Sequence, residues 1–110
     1  MNKDNFKVSL DALSTLKKIK DIQGDFSELI NEEIIDVKNG KIVATLIFEK
    51  YYLRSSNWAA LIVTVDNIEE VTQLHIVSTA SASNVLGLDW GSSKNFVNNI
   101  RKSLINYIIE

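Results

Sequence analysis

EIIDVKNGKIVATLIF, residues 33–48, is the stretch whose reading decides the fold. Asn39 and Gly40 stand between two β-rich runs. Both central positions of a type I′ turn need φ > 0, which Asn and Gly adopt at least cost. A two-residue loop there pairs Lys38 with Lys41, Val37 with Ile42 and Ile35 with Ala44. In that register Ile35, Val37, Ile42, Ala44, Leu46 and Phe48 share one face. A slip of one residue would turn a whole strand over, so the parity of each turn decides which side chains are buried.

Outward from this hairpin, an even loop around Ser55 and Ser56 sets Leu46 opposite Val65, Phe48 opposite Val63 and Tyr52 opposite Ala59. An odd loop would set Phe48 against Thr64 and Leu46 against Asp66. The even loop keeps apolar against apolar and is the expectation. A further reversal at Asn67, Ile68, Glu69 and Glu70 preserves the parity and brings Val65, Val63 and Leu61 to Thr72, Leu74 and Ile76. One buried face is thereby predicted to run through all four strands.

A sheet that is apolar on one side must be covered there by another layer. Phe6, Val8 and Leu10 alternate as a short N-terminal strand, and Ser9 or Asp11 can cap a helix presenting Ala12, Leu13, Leu16 and Ile19, with Gly24 as its stop. Asp25 followed by Glu28 resembles the capping box of a second short helix carrying Phe26, Leu29 and Ile30. Ser92 or Ser93 can cap a helix to the C-terminus, along which Phe96, Ile100, Leu104, Tyr107 and Ile108 recur as one stripe. The predicted fold is a single α+β domain over residues 1–110. It is an antiparallel β-meander of about five strands with helices packed on one face, two short and N-terminal, one long and C-terminal.

Composition excludes several classes of function. The 110 residues contain no cysteine, so disulfides, thiol catalysis and thiolate metal sites are absent. Twelve Lys and Arg against fourteen Asp and Glu give a net charge of -2, with no basic footprint for nucleic acid. No run approaches the ~18–20 apolar residues of a membrane span, and no secretory signal is visible, so a cytoplasmic location is expected. His75, the one histidine, falls on the face opposite the core, between Gln73 and Val77. Acid–base catalysis and metal binding need a partner set, and none is visible at its spacing. The adjacent acids Glu32 with Glu33 and Glu69 with Glu70 suit a helix end and a turn. Gly87, Gly91, Ser92, Ser93 and Lys94 lack the spacing of a phosphate-binding loop, which needs four residues between its glycines and Lys directly after the second. The chain is therefore expected not to be an enzyme and to carry no cofactor or metal.

Two binding surfaces remain. Beyond Phe48, the inward face of its strand continues through Lys50, Tyr52 and Arg54 while the facing positions shrink to Ala59, Ser78 and Ala80. With Asp89 and Trp90 as a lid, these residues could wall a cleft for an anionic or aromatic small molecule. The bland reading is that Lys50 and Arg54 run past the core into water. On the opposite face Ile47, Tyr51, Leu53, Trp58, Ile62 and Val77 gather with Val43 and Ala60. That is too apolar for a face left in water. The N-terminal helices, a second copy or another protein could cover it. Self-association as a homodimer is the preferred expectation, since closed twofold dimers are the commonest soluble oligomers.

The run Phe48-Glu49-Lys50-Tyr51-Tyr52-Leu53-Arg54, then Asn57, then Leu61-Ile62-Val63-Thr64-Val65-Asp66 and Asp89-Trp90-Gly91 resembles a family of short bacterial proteins catalogued as a domain of unknown function. The resemblance covers essentially the whole chain. It implies a cytoplasmic bacterial protein and supplies no catalytic residue. The family's second glycine-rich portion of the last loop is replaced here by Ala82, Ser83, Asn84 and Val85. The order of elements is also loosely similar to helix-grip ligand-binding folds, which have more strands.

Overall fold

Asn39 and Gly40 adopt φ of 58° and 80°, as the tight turn requires. They join β2 (Glu28–Lys38) to β3 (Lys41–Tyr52). β4 (Asn57–Asp66) and β5 (Thr72–Ser78) follow by successive reversals. β1 (Asn2–Val8) pairs with β5, giving an antiparallel sheet in the order β1-β5-β4-β3-β2. The computed structural model describes residues 2–53, 56–79 and 92–110, and of residues 2 and 92–96 only the backbone. Two helices occur among them, α1 (Ala12–Gln23) and α2 (Ser92–Ser103).

The helices correct the sequence expectation. The predicted second N-terminal helix does not form. Asp25, Phe26 and Ser27 make one turn closed on Ile22 and Gln23, and Glu28 then enters β2. Leu29, Ile30, Ile34, Ile35 and Val37 extend as a single run, because pairing with β3 satisfies more backbone groups than a short helix could. The predicted long C-terminal helix is also absent. α2 stops at Ser103, and a 3₁₀ turn follows over Ile105–Tyr107. Ser103 Oγ donates to the Ile100 carbonyl at 2.7 Å, and the Leu104 N–H is shared between the carbonyls of Ile100 and Arg101. The chain then lies along β1, with Val8 bridged to Ile108. The Ser9 N–H bonds the Tyr107 carbonyl at 2.8 Å, and the Ile109 N–H bonds the Lys7 carbonyl at 2.9 Å. Backbone groups of an open edge outcompete one more helical turn of β-branched residues.

Register departs from expectation in two ways. Leu46 lies opposite Val63 and Phe48 opposite Leu61, while Val63 lies opposite Ile76 and Val65 opposite Leu74. The β3–β4 reversal is two residues tighter than expected and the β4–β5 reversal two residues wider, changes that preserve parity and leave each strand's faces as read. In the first hairpin, an irregularity between Asp36 and Lys38 changes the parity. Lys38 turns to φ 96°, and its N–H donates to Asp36 Oδ1 at 2.9 Å. Beyond this bulge Ile34, not Ile35, faces Ala44.

Ala44, Leu46, Phe48, Leu61, Val63, Val65, Leu74 and Ile76 fill the covered face of the sheet together with Phe6 and Val8. Ala12, Leu16 and Ile19 of α1, Val97 and Ile100 of α2, and Leu104 just beyond it close over them. Asp11 caps α1 by accepting the Ser14 N–H at 3.0 Å, and the Ser14 amide and hydroxyl hold its carboxyl below the usual value. α2 is tied to β1 by a two-pronged ion pair, Arg101 Nε and Nη2 donating to Asp4 at 2.6 and 2.7 Å, with the guanidinium over the Phe6 ring at 4.7 Å. Lysine cannot reproduce the fork. Arg101→Lys is expected to cost about 1 kcal/mol, discounted because the guanidinium is partly in water. Urea unfolding should show a lowered midpoint at unchanged slope.

Gln23 is the exception in the interior. It is fully buried, its carbonyl oxygen accepts from Ser27 Oγ at 3.3 Å, and its Nε2 has no partner among the described residues. Ser27 Oγ also donates to the Gln23 main-chain carbonyl at 3.0 Å, so it keeps an acceptor if the amide is removed. A buried donor left unmade costs about 1–3 kcal/mol. Gln23→Met is therefore expected to stabilise the fold by about 1 kcal/mol, a rise in melting temperature of roughly 4–8 °C by scanning calorimetry.

Candidate functional site

Directly opposed residues of an antiparallel pair lie on the same face, so the ladder maps the side of the sheet that carries no helix. One row crosses it as Asn31, Ile47, Ile62, Val77 and Lys3. The next is Glu33, Thr45, Thr64, His75 and Asn5, and a third is Ile35, Val43, Asp66, Gln73 and Lys7. Toward the other end Glu28, Glu49 and Ala60 precede Tyr51 opposite Trp58. Tyr51 and Trp58 meet edge to face, with centroids 5.2 Å apart and planes at 61°.

The structure thus brings together five of the six residues that the sequence assigns to an interaction face, Ile47, Tyr51, Trp58, Ile62 and Val77. Leu53 instead lies in the turn after β3, 85% exposed. Ile47, Ile62 and Val77 are half-buried by their neighbours, whereas Trp58 is 61% and Tyr51 40% exposed. The helices cover only the other side. The face is also polarised, with Lys3 and Lys7 along β1 at one border and Glu28, Glu33 and Glu49 along β2 and β3 at the other. No property of the sequence taken strand by strand displays this polarity, because it depends on β1 and β2 occupying opposite edges. His75 is on this face, exposed, its Nδ1 3.0 Å from Asn5 Oδ1.

Of the residues predicted to wall a small-molecule cleft, Arg54, Asp89 and Trp90 lie outside the described residues. Lys50 and Tyr52 are on the covered side at the end of β3, opposite Ala59 and Asn57. Lys50 Nζ sits 5.2 Å from the Tyr52 ring centre, and burial pushes the Tyr52 hydroxyl above its usual pKa. A cleft of ≈ 270 Å³ opens at the other end of the sheet, between the β1–α1 connection and the turn before β5. Its polar groups already hold the fold. Asp11 caps α1, Asn67 bridges the Ile42 N–H and the Gly40 carbonyl, and the Thr72 hydroxyl donates to the Leu10 carbonyl. Among the described residues no three His, Asp or Glu side chains gather as a metal would need, and no helix is long and apolar enough to cross a membrane.

Comparison with known proteins gives a family and a distant likeness. A family model described as a family of unknown function matches residues 1–108. A solved structure of a conserved hypothetical protein from Pyrococcus furiosus is similar over 98% of this chain and 95% of its own, at 10% identity and a TM-score of 0.40. No curated protein matches.

Proposed function

We propose that this chain, which belongs to the family of unknown function DUF6054, is a non-catalytic interaction module that forms a homodimer through the open face of its sheet. The observation that carries the reading is the exposed Tyr51–Trp58 pair, continuous with Ile47, Ile62 and Val77, on a face that neither α1 nor α2 covers. Five strands ~4.8 Å apart and about eight residues long span on the order of 600–700 Å² in projection. That is close to the ~800 Å² per partner of a standard interface.

Charge selects how two copies meet. A twofold axis along the strands lays β1 of each copy over β2 of the other, so that Lys3 and Lys7 approach the border carrying Glu28 and Glu33. An axis across the strands would set like borders together, which electrostatic complementarity disfavours. β4 is the central strand. The favoured axis therefore runs along it, and Trp58 and Ile62 meet their own counterparts. Size-exclusion chromatography with light scattering at micromolar concentration is expected to give twice the 12.4 kDa of one chain. A strict monomer would overturn the reading.

A further inference from the structure

The two edges of the sheet are finished differently. β1 is covered by the C-terminal segment, through the Val8–Ile108 bridge and two main-chain hydrogen bonds. β2 ends the sheet, pairs only with β3 among the described residues, and is exposed at every position from Glu28 to Lys38. Ile34 and Ile35, on opposite faces, are 48% and 52% exposed. A long edge of this kind presents backbone donors and acceptors to any extended chain.

Its charges say which chain fits. Glu32 and Asp36 point to the helix side, opposite Leu46 and Ile42, while Glu28 and Glu33 point to the open side, with Glu49 beside Glu28. Lys20 of α1 reaches Glu32 at 2.8 Å, and Lys38 stands at the turn. Like charge opposes self-pairing in two central registers. Centred on Glu33, two copies set that carboxylate against itself. Centred on Ile34, they set Glu32 against Asp36 twice. Like charges directly opposite destabilise a strand pair, and inward-pointing charges guard an edge against its own kind. Basic residues at adjacent positions, one pointing to each face, would answer both carboxylate rows, with adjacent apolar residues meeting Ile34 and Ile35.

We propose that β2 is a docking edge for an extended segment of another protein in which pairs of basic residues alternate with pairs of apolar residues. This surface is separate from the dimer face, and its occupancy does not depend on dimerisation.

The probe is a fluorescein-labelled peptide about ten residues long, in which pairs of lysines alternate with pairs of valines. Anisotropy and backbone amide exchange are followed in the full chain and in its Trp58→Glu variant. The expected result is binding to both, with amide protection confined to residues 28–38. Glu33→Lys with Asp36→Lys should weaken it about tenfold or more. N-methylation of the peptide's pairing amides should weaken it by as much while leaving its charge unchanged. Equal binding of the N-methylated peptide would reduce the effect to charge attraction and overturn the proposal. Protection elsewhere, or loss of binding in Trp58→Glu, would overturn it by placing the contact on the open face. Equal binding of a peptide with the Glu28–Lys38 sequence would overturn the charge selection and make a second copy the occupant.

Discussion

Trp58→Glu is expected to turn the dimer into a monomer without unfolding the chain. The indole is 61% exposed and touches its own subunit through Tyr51. Changes at such exposed positions usually shift stability by no more than ~0.5 kcal/mol. At the proposed twofold the side chain meets its own counterpart, so one substitution acts twice. Truncating an interface tryptophan commonly costs about 2 kcal/mol or more. Two losses, with two carboxylates brought together, amount to a dissociation constant raised on the order of 10³-fold. Light scattering should then report one chain at concentrations where the parent reports two. Ile62→Lys, on the same central strand, should behave alike. The informative contrast is a melting temperature unchanged at low protein concentration, where both proteins are monomeric, and lower than the parent's at high concentration. A variant that still weighs as a dimer, or one that unfolds outright, would contradict the geometry.

The larger effect on stability belongs to Phe48→Ala. Phe48 is fully buried at the centre of β3, opposite Leu61, beneath the helical layer. Removing a buried phenyl ring forfeits its transfer free energy and leaves a cavity that the sheet cannot close, at about 3–5 kcal/mol. Total stability for a domain of this size is about 5–15 kcal/mol, so the variant should lose a large share of it. The corresponding fall in melting temperature is on the order of 15–25 °C. Denaturant unfolding should keep its slope while the midpoint drops. Phe48→Leu, which restores most of the volume, should recover much of the loss. Lys50→Ala, two residues along the same face, is expected to change little.

What local sequence determined is local in its physics. Asn39-Gly40 specified a turn because few residues tolerate two successive positive φ angles. Asp11 specified the start of α1 because its carboxylate can accept an N–H three residues on. Alternation in β3, β4 and β5 specified which side chains enter the core, and it survived two-residue shifts of both reversals because even shifts preserve faces. The placing of Tyr51, Trp58, Ile47, Ile62 and Val77 on one surface follows from that same period. Residues 28–32 and 104–109 were decided elsewhere. Each carries apolar residues at helical spacing, yet residues 28–32 joined β2 and residues 104–109 left the helix through a 3₁₀ turn to meet β1, because the open flank of β3 or of β1 had backbone groups to satisfy. The bulge at Val37, the acid-lined free edge and the opposed charges of β1 and β2 likewise arise only once strands distant in the chain are ordered side by side. Periodicity reports a side chain's direction relative to its own backbone, whereas an edge, its neighbour and its field are properties of the assembled sheet.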